Sequence, residues 1–170
     1  MEFALPAFRP PEPADEHDAR ALRQIGEFDC TIWIVSDDAN LSDPLPTFAY
    51  STGLYARFLH PEIVVYGLKP DLMHSMINQL RDRVRAGHTF RHGDRIEGLI
   101  EGFPVEARTV HPGHYEEHFG WARWFYRSDD FPVLQLVWPT TRGVWPWEPH
   151  APQIIRDRQP LLDSPWPPLQ

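Results

Sequence analysis

One segment, residues 47–87, carries three successive secondary-structure patterns and constrains the fold more than any other part of the chain. Residues 47–52 (TFAYST) place Phe48, Tyr50 and Thr52 on one side with the period of two that is typical of a β-strand. Residues 62–68 (EIVVYGL) form a nearly continuous apolar run, which predicts a strand buried on both faces. Residues 70–86 begin with proline, carry an apolar stripe at helical spacing and precede Gly87, so they predict an amphipathic helix.

Further strands and one more long helix are predicted outside this segment. β-Branched and aromatic residues predict strands at residues 30–35, 95–101, 103–110 and 133–138, the middle two forming a hairpin around Glu101 and Gly102. A second long helix is predicted at residues 113–126, short helices at 19–26 and 153–157, and a turn-forming loop at 36–46. We therefore expect an α+β fold, a single compact domain in which two main helices (70–86 and 113–126) pack on a mixed sheet of about five to seven strands.

Proline sets the expected domain limits. The chain of 170 residues contains 19 prolines, roughly double the usual share of about 5%, and many lie near the ends. Residues 1–26 are predicted to form a Pro-rich arm with a short helix, residues 27–160 a single domain, and residues 161–170 a tail rich in Pro and Trp. The length is sufficient for one substantial core.

Charge and composition exclude several classes of protein. A formal net charge of −8 argues against binding to nucleic acid, because that affinity comes largely from Lys and Arg on phosphates. The basic residues Arg81, Arg83 and Arg85 are interpreted as cations favoured near a helix C-terminus, with a binding patch as the alternative. The single cysteine, Cys30, excludes an intramolecular disulfide and is predicted to be an unreactive core thiol. No apolar run spans a membrane and no secretory signal is recognisable, so the cytoplasm is the expected location.

A first candidate site lies at the ends of two adjacent strands. Tyr50, Thr52, His60 and Glu62 would bring hydroxyls, an imidazole and a carboxylate together, where α/β domains often hold ligands. The alternative is a structural turn in which His60 bonds to the backbone and Glu62 is solvated.

The second candidate site is the series His111, His114 and His118. On one helix these imidazoles would lie close enough to bind a metal ion, but Pro112 and Gly113 place His111 at or before the helix start. We predict no metal here and expect a partly buried His114 beside Tyr115.

A third signal is Gln135, the lone polar residue in a strand that otherwise reads as buried. An unpaired amide there would cost roughly 1–3 kcal/mol, so a partner is required. The candidates are Tyr126, His114, neighbouring backbone and a bound ligand.

The blocks FAYSTGLYARFLHPEIVVYGL, GFPVEARTV, HYEEHFGWARWFY, FPVLQLVWP and WPWEP occur in this order, and together they resemble the DUF4262 family of uncharacterised bacterial proteins. The resemblance covers roughly residues 27–160. Positions similar to the family's motifs are Thr52, Gly53, Leu54, Tyr55, His60, Pro61, Glu62, His114, Tyr115 and the strand from Leu134 to Pro139. The resemblance implies an intracellular bacterial protein and implies no reaction.

Two functional hypotheses follow. The first is a non-catalytic domain that binds a small molecule or a protein partner in an aromatic and histidine-lined cleft. Its candidate ligand-binding residues are Tyr50, Thr52, His60, Glu62, His114, Tyr126, Gln135 and Trp138. The alternative is a small enzyme acting on a polar metabolite, with His60 or His114 as general base. Neither hypothesis identifies a cofactor.

Overall fold

A single mixed sheet organises the protein. The computed structural model describes residues 1–36 and 46–164; residues 37–45 of the predicted loop and residues 165–170 of the predicted tail lie outside the described residues. Its strands are β1 (Thr31–Val35), β2 (Phe48–Thr52), β3 (Glu62–Tyr66), β4 (Arg95–Ile100), β5 (Phe103–Thr109) and β6 (Val133–Val137). They lie in the order β1-β2-β3-β6-β5-β4, with β3 and β6 parallel and the other neighbours antiparallel. The predicted α+β class and mixed sheet are confirmed.

The central strands β2, β3 and β6 are buried along their whole length because both faces of the sheet are covered. One face packs against α3 (Pro70–Arg85), whose side chains Met73, Met76 and Ile77 are fully buried. This is the helix that the sequence predicts at residues 70–86. The opposite face is covered mainly by aromatic side chains, among them Tyr115, Phe119 and Phe125.

The helix predicted at residues 113–126 is divided into three pieces. A 3₁₀ turn (Pro112–His114) leads into α4 (Tyr115–His118), and α5 (Gly120–Tyr126) follows after a break at Phe119, where φ is −126° and ψ is 44°. Gly120 has low helix propensity, and the break allows Phe119 itself to be buried against Tyr50. The predicted helical content is therefore present, but its axis changes direction.

Two shorter helices also differ from the prediction. Helix α1 (Glu16–Phe28) starts where the Asp15 side chain accepts a hydrogen bond from the Asp18 amide, and it ends at Asp29 in the left-handed conformation. It therefore continues through Gly26, the predicted end of this helix, and crosses the predicted domain boundary between residues 26 and 27. Helix α2 (Leu54–Phe58), between β2 and β3, was not predicted.

The last described residues lie on the aromatic face of the sheet. Helix α6 (Gln153–Arg158) matches the predicted short helix within one residue, and the following residues 159–164 turn back over the sheet. Leu162 is 2% exposed and belongs to the aromatic core. Among the described residues, no helix is long and apolar enough to cross a bilayer.

Candidate functional site

The Glu62 carboxylate is buried, with 1% of the residue exposed. Its Oε1 accepts hydrogen bonds from the amides of Gly53 at 2.8 Å and Tyr55 at 3.2 Å. Its Oε2 accepts a bond of 2.6 Å from the Ser51 hydroxyl, and the Tyr126 hydroxyl donates to Oε1 as well. The interpretation of Glu62 as a solvated carboxylate is therefore wrong.

Through these hydrogen bonds Glu62 stabilises the first turn of α2. Gly53 and Tyr55 lie at the start of that helix, where free backbone amides favour a negative charge. Burial raises the pKa of Glu62, and the hydrogen bonds from Ser51 and Tyr126 act in the opposite direction. The carboxylate thus joins the start of β3 to α2.

Tyr50 and Thr52 lie beside this carboxylate in the core. Tyr50 is 4% exposed, and its ring meets Phe119 edge-on with the two centroids 5.3 Å apart. Thr52 is fully buried, and its Oγ1 has no hydrogen-bond partner among the described residues. A ligand would reach this group, which also contains Glu62 and Tyr126, only after α2 or α5 moved.

His60 lies apart from the other predicted site residues. Its Nδ1 donates to the Pro61 carbonyl at 2.8 Å, and its Nε2 accepts from the Phe90 amide at 3.0 Å. It lines a cavity of about 310 Å³ next to Val84 and His88. The imidazole is neutral because Nε2 accepts a hydrogen bond from an N–H group, and the lone pair of Nε2 is therefore already occupied. Burial also lowers the pKa of His60.

The three histidines of the predicted series have different partners. His111 Nδ1 accepts from the Gly113 amide at 3.0 Å, and His114 Nε2 lies 2.6 Å from the Ser164 carbonyl oxygen. His118 Nδ1 bonds to the hydroxyl of the buried Tyr66, while burial and the nearby His114 lower the pKa of His118 to about 4. These contacts explain the imidazoles as parts of the fold.

Asp15, His17 and Asp18 form a cluster of metal-ligand type among the described residues, with ligand atoms within 4.8 Å of one another. Asp15 and Asp18 are already used at the start of α1, and Asp18 also accepts from the Trp121 indole at 3.0 Å. The cluster is therefore explained as a helix cap.

Gln135 meets the chain's own C-terminal segment (residues 159–164). Its Nε2 donates to the Pro160 carbonyl at 2.7 Å, and its Oε1 accepts from the Leu162 amide at 3.0 Å. Gln159 exchanges two similar bonds with the backbone of Trp138, at 3.1 and 2.6 Å. The partner of Gln135 is thus backbone, as one of the alternatives had it, but the backbone of a segment 25 to 27 positions away in the chain.

We call His111, His114, Gln135 and Trp138, which form hydrogen bonds with this segment, the β6 groove. Arg108 also contacts the segment, through an ion pair of 2.7 Å between its guanidinium and the Asp163 carboxylate. The structure therefore divides the predicted site. His114, Gln135 and Trp138 meet in the groove, Tyr50, Thr52, Glu62 and Tyr126 form a buried group, and His60 stands alone.

One cavity was missed by the sequence analysis. It measures about 430 Å³, lies between α1, β1 and α3, and includes Cys30, His74, Asn78 and Arg81 among its lining residues. The spacing of the last three residues on one helix could have indicated it. Cys30 is 3% exposed, and burial raises the pKa of its thiol to about 12, so the predicted core thiol is confirmed.

A family model described as "Domain of unknown function (DUF4262)" matches residues 24–152. No curated protein and no solved structure matches the chain.

Proposed function

We propose that this chain, which belongs to the DUF4262 family of domains of unknown function, is a non-catalytic binding domain that holds an extended peptide in the β6 groove. The family brings no activity with it, so the proposal rests on the contacts that the groove makes.

The observation that carries the proposal is the double hydrogen bond of Gln135. A primary amide offers one acceptor oxygen and N–H donors, and Gln135 uses both kinds of atom on the backbone of Pro160 and Leu162. Edge strands recognise extended peptides through main-chain bonds that do not depend on the peptide's side chains. Here the side-chain amide of Gln135, on the central strand β6, makes bonds of that kind to the segment's backbone. This pattern supports a groove that reads an extended backbone.

Two further contacts extend the pattern. The His111 amide donates to the Leu162 carbonyl at 2.7 Å, and His114 Nε2 reaches the Ser164 carbonyl at 2.6 Å. The buried Leu162 side chain is the apolar anchor. In the recognition of extended peptides, main-chain hydrogen bonds give affinity and a pocket for a side chain gives specificity. Specificity for a partner would come from this anchor position.

The groove lies within the part of the chain that matches the family model, and its occupant lies outside that part. His111, His114, Gln135 and Trp138 lie within the matched residues 24–152, whereas the C-terminal segment at 159–164 lies outside them. Because the segment is attached to the same chain, its effective concentration at the groove is of millimolar order or higher. We propose that it occupies the groove in cis and that a partner's extended segment replaces it.

The arrangement of His60 favours binding over catalysis. A general base needs an accessible lone pair within reach of a substrate proton, and the Nε2 lone pair of His60 accepts the Phe90 amide. The lone pair of His60 is therefore not free for the general-base role that the enzyme hypothesis gives it.

The proposal is tested with a fluorescent peptide of residues 156–164 (RDRQPLLDS) and the full-length chain. In wild type the cis segment competes, whereas Leu162→Ser removes the anchor from the cis segment only. We expect Leu162→Ser to bind the peptide about tenfold more tightly than wild type does in fluorescence polarisation.

Matched controls separate groove binding from non-specific association. Leu161→Ser changes the neighbouring, half-buried leucine and should leave peptide affinity near that of wild type. Adding Gln135→Met to Leu162→Ser should abolish the gain, because both backbone bonds are lost. A folded Leu162→Ser protein that ignores the peptide would contradict the proposal.

A further inference from the structure

A cleft on the other side of the molecule has the features of a second binding site. It lies between α1, β1 and α3, far along the sheet order from β6, and has a volume of about 430 Å³. This volume falls in the range of small-molecule sites. The lining residues are Gln24, Phe28, Cys30, Thr31, Ile32, His74, Asn78 and Arg81.

A directed chain of hydrogen bonds runs along α3 at the edge of this cleft. Arg81 Nη1 donates to Asn78 Oδ1 at 2.7 Å, and Asn78 Nδ2 lies 3.0 Å from His74 Nδ1. Because an amide nitrogen can only donate, His74 Nδ1 is the acceptor, and in the neutral ring the proton lies on Nε2. This series of hydrogen bonds therefore begins at the Arg81 guanidinium and ends at the Nε2–H donor of His74.

The two side-chain amide oxygens of the cleft already accept hydrogen bonds. Asn78 Oδ1 accepts from Arg81, and Gln24 Oε1 accepts from the Thr31 hydroxyl at 2.7 Å. The donors Gln24 Nε2 and His74 Nε2 have no hydrogen-bond partner among the described residues. The cleft thus presents more donors than acceptors.

The charge in the cleft is positive and partly shielded from water. The Arg81 side chain is only 13% exposed, whereas its acidic neighbour Asp82 is 58% exposed and points one oxygen, Oδ1, at the guanidinium. Because the Asp82 carboxylate is largely in water, solvent screens its attraction for the guanidinium, and Arg81 retains attraction for another anion. Phe28 and Ile32 add apolar surface at the same cleft.

We propose that this cleft binds a small organic carboxylate. Its oxygens would accept from Gln24 Nε2 and His74 Nε2 beside the Arg81 guanidinium, and its apolar body would lie on Phe28 and Ile32. A carboxylate matches these N–H donors because hydrogen bonds in which the acceptor is charged are stronger than those between neutral groups. The planar guanidinium of arginine is also especially suited to carboxylate oxygens. The site is independent of the β6 groove and of any peptide that binds there.

The test uses benzoate as the probe and benzamide as its neutral counterpart of nearly the same shape, each titrated into the full-length chain by isothermal calorimetry. Benzoate should bind about tenfold more tightly than benzamide, since only benzoate brings a charge to Arg81. Arg81→Gln should weaken benzoate about tenfold and leave the benzamide affinity unchanged.

Two variants complete the test. Arg83→Gln removes the same charge from the same helix, but Arg83 approaches Gly98 of β4 instead, so the benzoate affinity should change less than about twofold. His74→Ala removes an exposed donor and should weaken benzoate about fivefold even if Arg81→Gln fails to fold. Equal affinities for benzoate and benzamide, or unaltered benzoate binding in His74→Ala, would overturn the inference.

Discussion

The Tyr126 hydroxyl donates a hydrogen bond to the Glu62 carboxylate, although 64 positions separate the two residues in the chain. The same hydroxyl accepts from the Ala56 amide at 3.2 Å. One side chain of α5 therefore bonds to both the start of β3 and the short helix α2. Because Tyr126 is also only 9% exposed, this contact is a point where secondary-structure elements distant in sequence stabilise one another.

Tyr126→Phe should lower the free energy of unfolding by about 1.5–3 kcal/mol, because a bond to a charged group is lost and the Ala56 amide loses its acceptor. Urea denaturation followed by circular dichroism measures the loss. Tyr55→Phe is the matched control, since the Tyr55 hydroxyl makes no hydrogen bond among the described residues, and it should cost less than about 0.5 kcal/mol. Equal losses in the two variants would contradict the role of Tyr126.

The pH dependence of stability should reveal the burial of Glu62. Because its pKa is raised above the ordinary value of 4.5, the folded state binds this proton more tightly than the unfolded state does. The contribution of Glu62 is therefore complete below pH 4.5 and declines as the pH rises towards the folded-state pKa. The stability of wild type relative to Glu62→Gln, measured by urea denaturation across this range, should fall with rising pH. A relative stability that rises with pH would show that the hydrogen-bond donors outweigh burial and lower the pKa of Glu62 instead.

The central elements could be predicted because their signals are local. The alternation in β2, the apolar run in β3 and the stripe on α3 each lie within one short window, so the sequence predicts their position within one or two residues. Helix α2 was missed because its five residues are too few for a helical period to show. The break at Phe119 was missed because it depends on packing against Tyr50, from a distant strand.

The site was harder to predict because its partners are distant in sequence. The sequence left two interpretations of Glu62 open, a carboxylate of a ligand site and a solvated residue of a turn, and its donors Ser51 and Tyr126 lie 11 and 64 positions away. Gln135 correctly indicated a required partner, but nothing in its strand identifies the backbone of Pro160 and Leu162. Residue types therefore revealed that polar groups must be satisfied, while only the fold determined which atoms satisfy them.

His118 should titrate far below the usual range of histidine. Burial, followed by the proximity of His114, lowers its pKa from 6.5 to about 4, so between these values the unfolded state binds more protons than the folded state. The contribution of His118 to stability is thus present above pH 6.5 and is lost as the pH falls to about 4. An NMR titration of its imidazole resonances gives the midpoint directly. In Tyr66→Phe the midpoint should stay well below 6.5, because burial is the main cause; a return to 6.5 would assign the shift to the tyrosine instead.

Gly67 holds the C-terminal part of the chain close to the sheet. Its φ is +75°, and a Cβ added there would lie 2.3 Å from the Arg158 carbonyl oxygen, at the end of α6. Gly143 has a similar φ of +78° but no atom within 4 Å of an added Cβ. Gly143→Ala should therefore cost only backbone strain, about 1–2 kcal/mol, whereas Gly67→Ala must also displace the backbone that leads into the C-terminal segment.

The expected result of Gly67→Ala is the release of residues 159–164 before global unfolding. Limited trypsin digestion should cleave after Arg156 and Arg158 faster in Gly67→Ala than in Gly143→Ala at equal temperature, because the cleavable backbone is freed locally. The variant should also bind the RDRQPLLDS peptide more tightly than wild type, since the cis occupant of the β6 groove is displaced. Equal digestion rates and equal peptide affinities in the two alanine variants would mean that the bonds to β6 and its neighbours hold the segment and that it does not depend on the contact at Gly67.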